Sequence, residues 1–83
     1  MNNYNNNLDD EFEVFIKAIY EFSKTVKNDI QLQIYVSETR KYIEFLITYY
    51  LRLGKLDEVR DRINELDMIL LKEIENIENR INR

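Results

Sequence analysis

Arg60, Asn64 and Asp67 stand at i, i+4 and i+7, so on a helix they share one flank where a guanidinium, an amide and a carboxylate could hold a small anion. A surface hydrogen-bond network is the simpler account of the same trio. Asp57/Asp61 and Asp61/Glu65 pair carboxylates at a spacing that suits acid–base work or a hard cation, yet it suits a solvated helix face better. Histidine is absent, which removes the commonest general base and the commonest zinc ligand. Ser23, Ser37 and the three threonines therefore lack a partner to activate them. A single glycine excludes a glycine-rich phosphate loop, and no cysteine is available for a disulfide or a redox thiol. Tyr35, Tyr42 and Tyr49 recur every seven residues, a column that could stack on bases or a cofactor. The plainer reading is the edge of a core, rings packed and hydroxyls wet. No catalytic residue, cofactor or metal is assigned, and the expectation is a non-enzyme.

Composition narrows the class of protein. Eighty-three residues make one domain at most, and a chain of that size buries roughly 60–65% of its unfolded surface. Regular packing or self-association must then supply the stability. The net charge of −4 disfavours nucleic acid, although Arg60, Arg62, Arg80 and Arg83 all fall in the last third of the chain. A nucleic-acid-associated regulator using those arginines is the alternative reading. The opening MNNYNNNLDD has neither a basic nor an apolar leader segment, and no apolar run approaches the roughly 18–20 residues of a membrane span. A cytoplasmic protein without membrane contact is expected. Heavy use of Asn, Ile, Lys, Tyr and Glu points to an AT-rich genome, such as that of a virus, a plasmid or other mobile element, or a low-GC bacterium.

The elements that position these residues follow from apolar spacing. Leu8, Phe12, Phe15, Ile19, Phe22 and Val26 form a stripe of helical period, with Asn7 placed to cap it and Asp9, Asp10 and Glu11 against the positive end of the helix dipole. "KNDIQ" reads as a break, with Asn28 as the next cap and Gln31 as its capping-box partner. Leu32, Val36, Thr39, Ile43, Leu46, Tyr50 and Leu53 carry the second stripe, which Gly54 ends as a left-handed cap. Leu56, Val59, Ile63, Leu66, Leu70, Ile74, Ile77 and Ile81 carry the third. The expectation is an all-α, three-helix, up-down-up antiparallel bundle with a long hairpin of helices two and three, self-associating. Helices are expected over about 8–27, 29–53 and 55–81, with 1–7 a flexible Asn-rich tail and 8–83 a single helical domain.

Two stretches resemble known families. "YYLRLGKLDEVRDRINEL" (49–66) resembles the turn of a tetratricopeptide repeat in its aromatic Tyr50, turn glycine Gly54 and apolar Val59. Ile47 and Leu66 stand where that family places small residues, and its solenoids stack about three such hairpins whereas this chain offers one. "LDEVRDRINELDMILLKEI" (56–74) is similar to the first helix of the all-helical chorismate mutases. That resemblance implies Arg60 as a substrate-binding arginine and Asp67 as a recurring acidic position. Ile77 takes the place of the family's second arginine from this helix, and it cannot hold a carboxylate.

One stretch exceeds what a core stripe needs. "EFLITYYLRLGK" (44–55) is apolar on nearly every side, with Glu44, Thr48 and Arg52 as a narrow polar line. Folding the chain at Asn28 and Gly54 sets residues 49–53 level with the asparagine-rich tail, so that the hairpin tip projects beyond helix one. Met68–Leu71, by contrast, falls level with Ile16–Ile19 and is expected to be covered. The expected interface is Phe45, Ile47, Tyr49, Leu51, Leu53 and Leu56, around the turn at Gly54. The function expected from this surface is that of a small non-enzymatic interaction module, an adaptor or inhibitor, forming a homodimer or binding another protein.

Overall fold

The computed structural model describes the backbone of residues 4–82 and the side chains of residues 11–82. It is an all-α bundle of three helices, α1 (Tyr4–Ser23), α2 (Asp29–Arg52) and α3 (Leu56–Ile81), running up, down and up. The α2–α3 seam is the most extensive, α1 packs less closely on α3, and the backbones of α1 and α2 approach least. The molecule is accordingly a slab of 48 × 26 × 15 Å. Its core draws on each stripe: Phe12 and Ile19 from α1, Leu32, Ile43 and Tyr50 from α2, and Val59, Ile63, Leu66, Leu70 and Ile77 from α3. None of the helices among the described residues is long and apolar enough to cross a membrane.

Local chemistry explains the breaks. The side-chain oxygen of Asn28 accepts from the backbone N–H of Gln31 at 2.9 Å. The reciprocal bond runs from the N–H of Lys27 to Gln31 Oε1 at 2.8 Å, one residue earlier than a standard capping box. At the other end of α2, Gly54 takes φ +71°, the N–H of Lys55 donates to Tyr50 O at 2.9 Å and that of Gly54 to Leu51 O at 3.0 Å. These are the two bonds of a Schellman motif, which satisfies the last carbonyls of a helix and turns the chain.

The ends of α1 differ from the sequence expectation. The helix starts at Tyr4, so Asn7 lies within it rather than at its N-cap position; residues 1–3 lie outside the described chain. No breaker intervenes between Tyr4 and Leu8, and asparagine costs a helix only some tenths of a kcal/mol relative to alanine. The helix also stops at Ser23 rather than near residue 27. There the backbone tightens into successive i to i−3 bonds, Lys24 to Glu21, Thr25 to Phe22 and Val26 to Ser23. The hydroxyl of Thr25 also donates to Phe22 O at 2.7 Å, offering that carbonyl a partner other than the next helical N–H.

Polar pins fix α1 on α3. Arg80 Nη2 donates to Ser23 O at 2.9 Å and Val26 O at 2.7 Å, two carbonyls at the end of α1. The buried hydroxyl of Ser23 lies 2.7 Å from Glu73 Oε1 and 2.8 Å from Tyr20 O, its single proton placed between two acceptors. Further along, Arg62 reaches Glu13 at 3.2 Å and Glu65 at 3.1 Å while its guanidinium covers the ring of Phe12 at 5.6 Å. The Nε of Arg62 is buried without an acceptor.

Candidate functional site

The face that α1 and α2 leave open carries the molecule's most distinctive surface. With these two helices splayed, a groove of about 440 Å³ runs between them toward the hairpin tip, walled by Val14 and Phe15 on one side and Tyr42, Phe45 and Tyr49 on the other. A second groove of about 510 Å³ follows toward the α1–α2 turn, past Phe22, Ile34 and Tyr35. Aromatic rings form a continuous ladder along the first. Phe15 meets Tyr42 edge-on at 4.4 Å, Tyr42 stacks on Phe45 and Phe45 on Tyr49, each at 6.1 Å, and Tyr49 meets Tyr50 edge-on at 5.2 Å. Offset and edge-on rings at these distances attract beyond their area alone. Phe45 and Tyr49 nevertheless keep about half of their surface in water.

The six residues expected at the interface divide by environment. Phe45, Tyr49, Leu51 and Leu53 are exposed, whereas Ile47 and Leu56 are half-buried and pack against the core. Phe45 and Tyr49 line the groove, and Leu51 lies on another side of α2. Tyr50, a member of the expected core stripe at the level of the tip, is only 3% exposed: it stacks on Phe12 at 6.1 Å and its hydroxyl donates to Glu11 at 3.3 Å. Helix α1 therefore covers more of the tip than folding at Asn28 implies, since Tyr50 lies beside Glu11 and Phe12 rather than level with the asparagine-rich segment. A plainer cover for the tip, Tyr4 folding back over it, would rest on a side chain outside those described.

The tyrosine column splits in the same way. Tyr35 is buried and its hydroxyl donates to Ile19 O at 2.9 Å, so it is not wet, while Tyr42 and Tyr49 are exposed. Burial pushes the Tyr35 phenol well above its ordinary range, with the charge of Glu73 next in importance. Burial and then the charge and hydrogen bond of Glu11 push Tyr50 up to about 12. Both phenols are neutral donors at physiological pH. The greasy stretch of α3 is a correction: Met68 is 71% exposed and Leu71 is also bare, because α1 packs on another flank of α3 and only Ile69 and Leu70 turn inward.

The residues first singled out for chemistry do not converge. Arg60 pairs with Asp57 at 2.9 Å on an exposed face, and Asp61, Asn64 and Asp67 are exposed too. Arg62 and Arg80 are engaged in the contacts that hold α1, and Arg83 lies outside the described residues. Neither groove is lined by Arg60 or Asp67. Compared with known protein families, curated proteins and solved structures, the chain matches none.

What sequence reasoning missed is the outer side of α2. Ile30 and Ile34 were absent from its core stripe and from the expected interface, yet both are exposed. The signal was present: Ile30, Ile34, Phe45 and Tyr49 form a second apolar line at helical spacing, away from the first.

Proposed function

We propose that this chain is a small non-enzymatic protein-interaction module, an adaptor or inhibitor working in the cytoplasm, which binds protein through the open α1–α2 face and the adjoining hairpin tip. The observation that carries the reading is the half-exposed ladder Tyr42–Phe45–Tyr49 along an open groove. Rigid aromatics lose little conformational freedom on binding and dominate protein interfaces. An apolar trough between two helices suits an amphipathic helix or another helical surface. The AT-rich character of the composition supports an origin in a virus, plasmid or other mobile element.

The reading is tested by site-specific photocrosslinking in cells that produce the chain. A photoreactive phenylalanine analogue at Phe45 should yield discrete protein adducts, whether with a second copy or a different chain. The same analogue at exposed Asn64 should yield far fewer. Equal labelling from both positions, or no adduct from Phe45, would remove the proposal.

A further inference from the structure

The outer side of α2 carries an apolar pattern that reads the same in both chain directions, about a central pair of charges that exchange sign on reversal. Ile30, Ile34, Glu38, Lys41, Phe45 and Tyr49 succeed one another at steps of 4, 4, 3, 4 and 4. At 100° per residue all six fall within an arc of about 100° that also holds the polar pair Gln31 and Thr48, whose numbers likewise mirror each other, away from the buried Leu32, Ile43 and Tyr50. Their spacing fits an 11-residue period of about 3.67 residues per turn, which keeps the line nearly straight along an ordinary helix. None is covered: Ile30 is 71%, Ile34 58%, Phe45 57% and Tyr49 47% exposed, and the ion pair Lys41–Glu38 is loose at 3.8 Å on the surface.

We propose that this line is the seam of an isologous dimer in which α2 of one copy lies antiparallel to α2 of a second, each residue facing the one whose number makes the sum 79. The proposal rests on the reading of this face as a protein-binding surface and names its partner. In that register Ile30 meets Tyr49 of the other copy, Ile34 meets Phe45, and Glu38 meets Lys41, every contact occurring twice by the two-fold axis. Two apolar blocks flank a central cluster of two acids and two bases, so apolar meets apolar and each charge meets its opposite. A parallel pairing in register would instead set Glu38 on Glu38 and Lys41 on Lys41. A foreign partner would give no reason for the sequence to mirror itself. Arg52 and Lys27 approach one another only beyond the two ends of the seam, at a rim where water and salt screen them.

The area is sufficient. The bare parts of the four apolar residues and of neighbouring Tyr42 offer about 500 Å² per copy, hence about 1,000 Å² for the pair, the size at which a specific interface becomes credible. The seam from Ile30 to Tyr49 spans about 28 Å at 1.5 Å per residue. The aromatic half of each line lies beside the groove next to Phe15, so a second α2 laid there also narrows the mouth of that groove.

Light scattering and sedimentation at about 100 μM should show a dimer. Glu38→Lys or Lys41→Glu alone sets like charges against one another at the centre and should weaken association about tenfold. The combined Glu38→Lys/Lys41→Glu chain restores opposite facing charges and should return to within about threefold of the parent. Circular dichroism distinguishes lost association from lost folding, since exposed charges contribute little to the monomer. Because the chain has no cysteine, Ile34→Cys and Phe45→Cys copies can be mixed and oxidised to read the register. Crosslinking between the two variants in preference to either with itself supports the sum of 79. A monomeric parent, single charge variants that associate normally, or dominant crosslinking of like with like overturns the antiparallel seam. A monomer that still yields foreign adducts from Phe45 overturns only this inference, whereas absence of all adducts removes the interaction reading beneath it.

Discussion

Helix α1 meets its two neighbours by different means. Against α3 it is pinned by directional contacts, Arg80 on the carbonyls of Ser23 and Val26, Glu73 on the Ser23 hydroxyl, and Glu13 on Arg62. Against α2 it stands further off, touching through side chains alone: Tyr35 on Ile19 O at one end, Phe15 edge-on to Tyr42 between, and Tyr50 beside Phe12 and Glu11 at the other. The first seam orients α1; the second exposes aromatic rings on either side of an open groove. A bundle of three helices can thus be stable along one seam and available along another.

The contrast is broken most severely by Ile19→Ala. Ile19 is almost wholly buried on α1, and truncation should cost about 2–5 kcal/mol in chemical denaturation. Val14→Ala, on the same helix but lining the open groove, should stay within about 0.5 kcal/mol of the parent in the monomer. Equal losses at the two sites would mean that the seams do not differ.

Alkaline titration probes the phenols that link α2 to α1. Both ionise less readily in the fold than at the ordinary value of 10.0, so folding favours their neutral form. That contribution is complete below pH 10 and is lost as pH climbs through the folded value of Tyr50, about 12. Helical signal should therefore fall above pH 10, and Tyr50→Phe should move the midpoint upward. An unchanged midpoint would remove Tyr50 from the alkaline transition.

Arg80→Ala sharpens the comparison from the closed side. It removes the donor shared by the Ser23 and Val26 carbonyls, leaving Ser23 O only its bond from the N–H of Val26, and should destabilise by about 1–2 kcal/mol, while Arg60→Ala, whose partner Asp57 is exposed, should change stability by a few tenths at most. Gly54→Ala should cost about 1 kcal/mol. A methyl there meets nothing within 4 Å, so the cost is that of the left-handed backbone alone. A neutral result from either Arg80 or Gly54, read by thermal melting, would assign the helix end to other contacts.

Much of this was legible along the chain because it is local. The three apolar stripes, Asn28 with Gln31, and Gly54 each act within a few residues, and the structure places helices, cap and turn as those spacings imply. The early stop of α1 was less legible, since Thr25 and Ser23 divert carbonyls that the apolar stripe through Val26 would have kept helical. Arg80 read as a candidate phosphate contact because its two acceptors lie more than fifty residues away. The exposed Met68 and Leu71 were misjudged because level along the bundle was known, while the flank of α3 on which α1 would settle was not.

The sequence by itself determined that the chain is helical, where two of its turns fall and that α2 is apolar on more sides than one core can use, since these depend on residue type and a fixed 3.6-residue period. Only the tertiary structure decided which surplus stays bare. That choice turns on how α1 is laid across α3 by Arg80, Glu73 and Arg62, and it leaves the line from Ile30 to Tyr49 facing outward. Helical period is a property of neighbouring residues, whereas burial depends on which distant helix arrives.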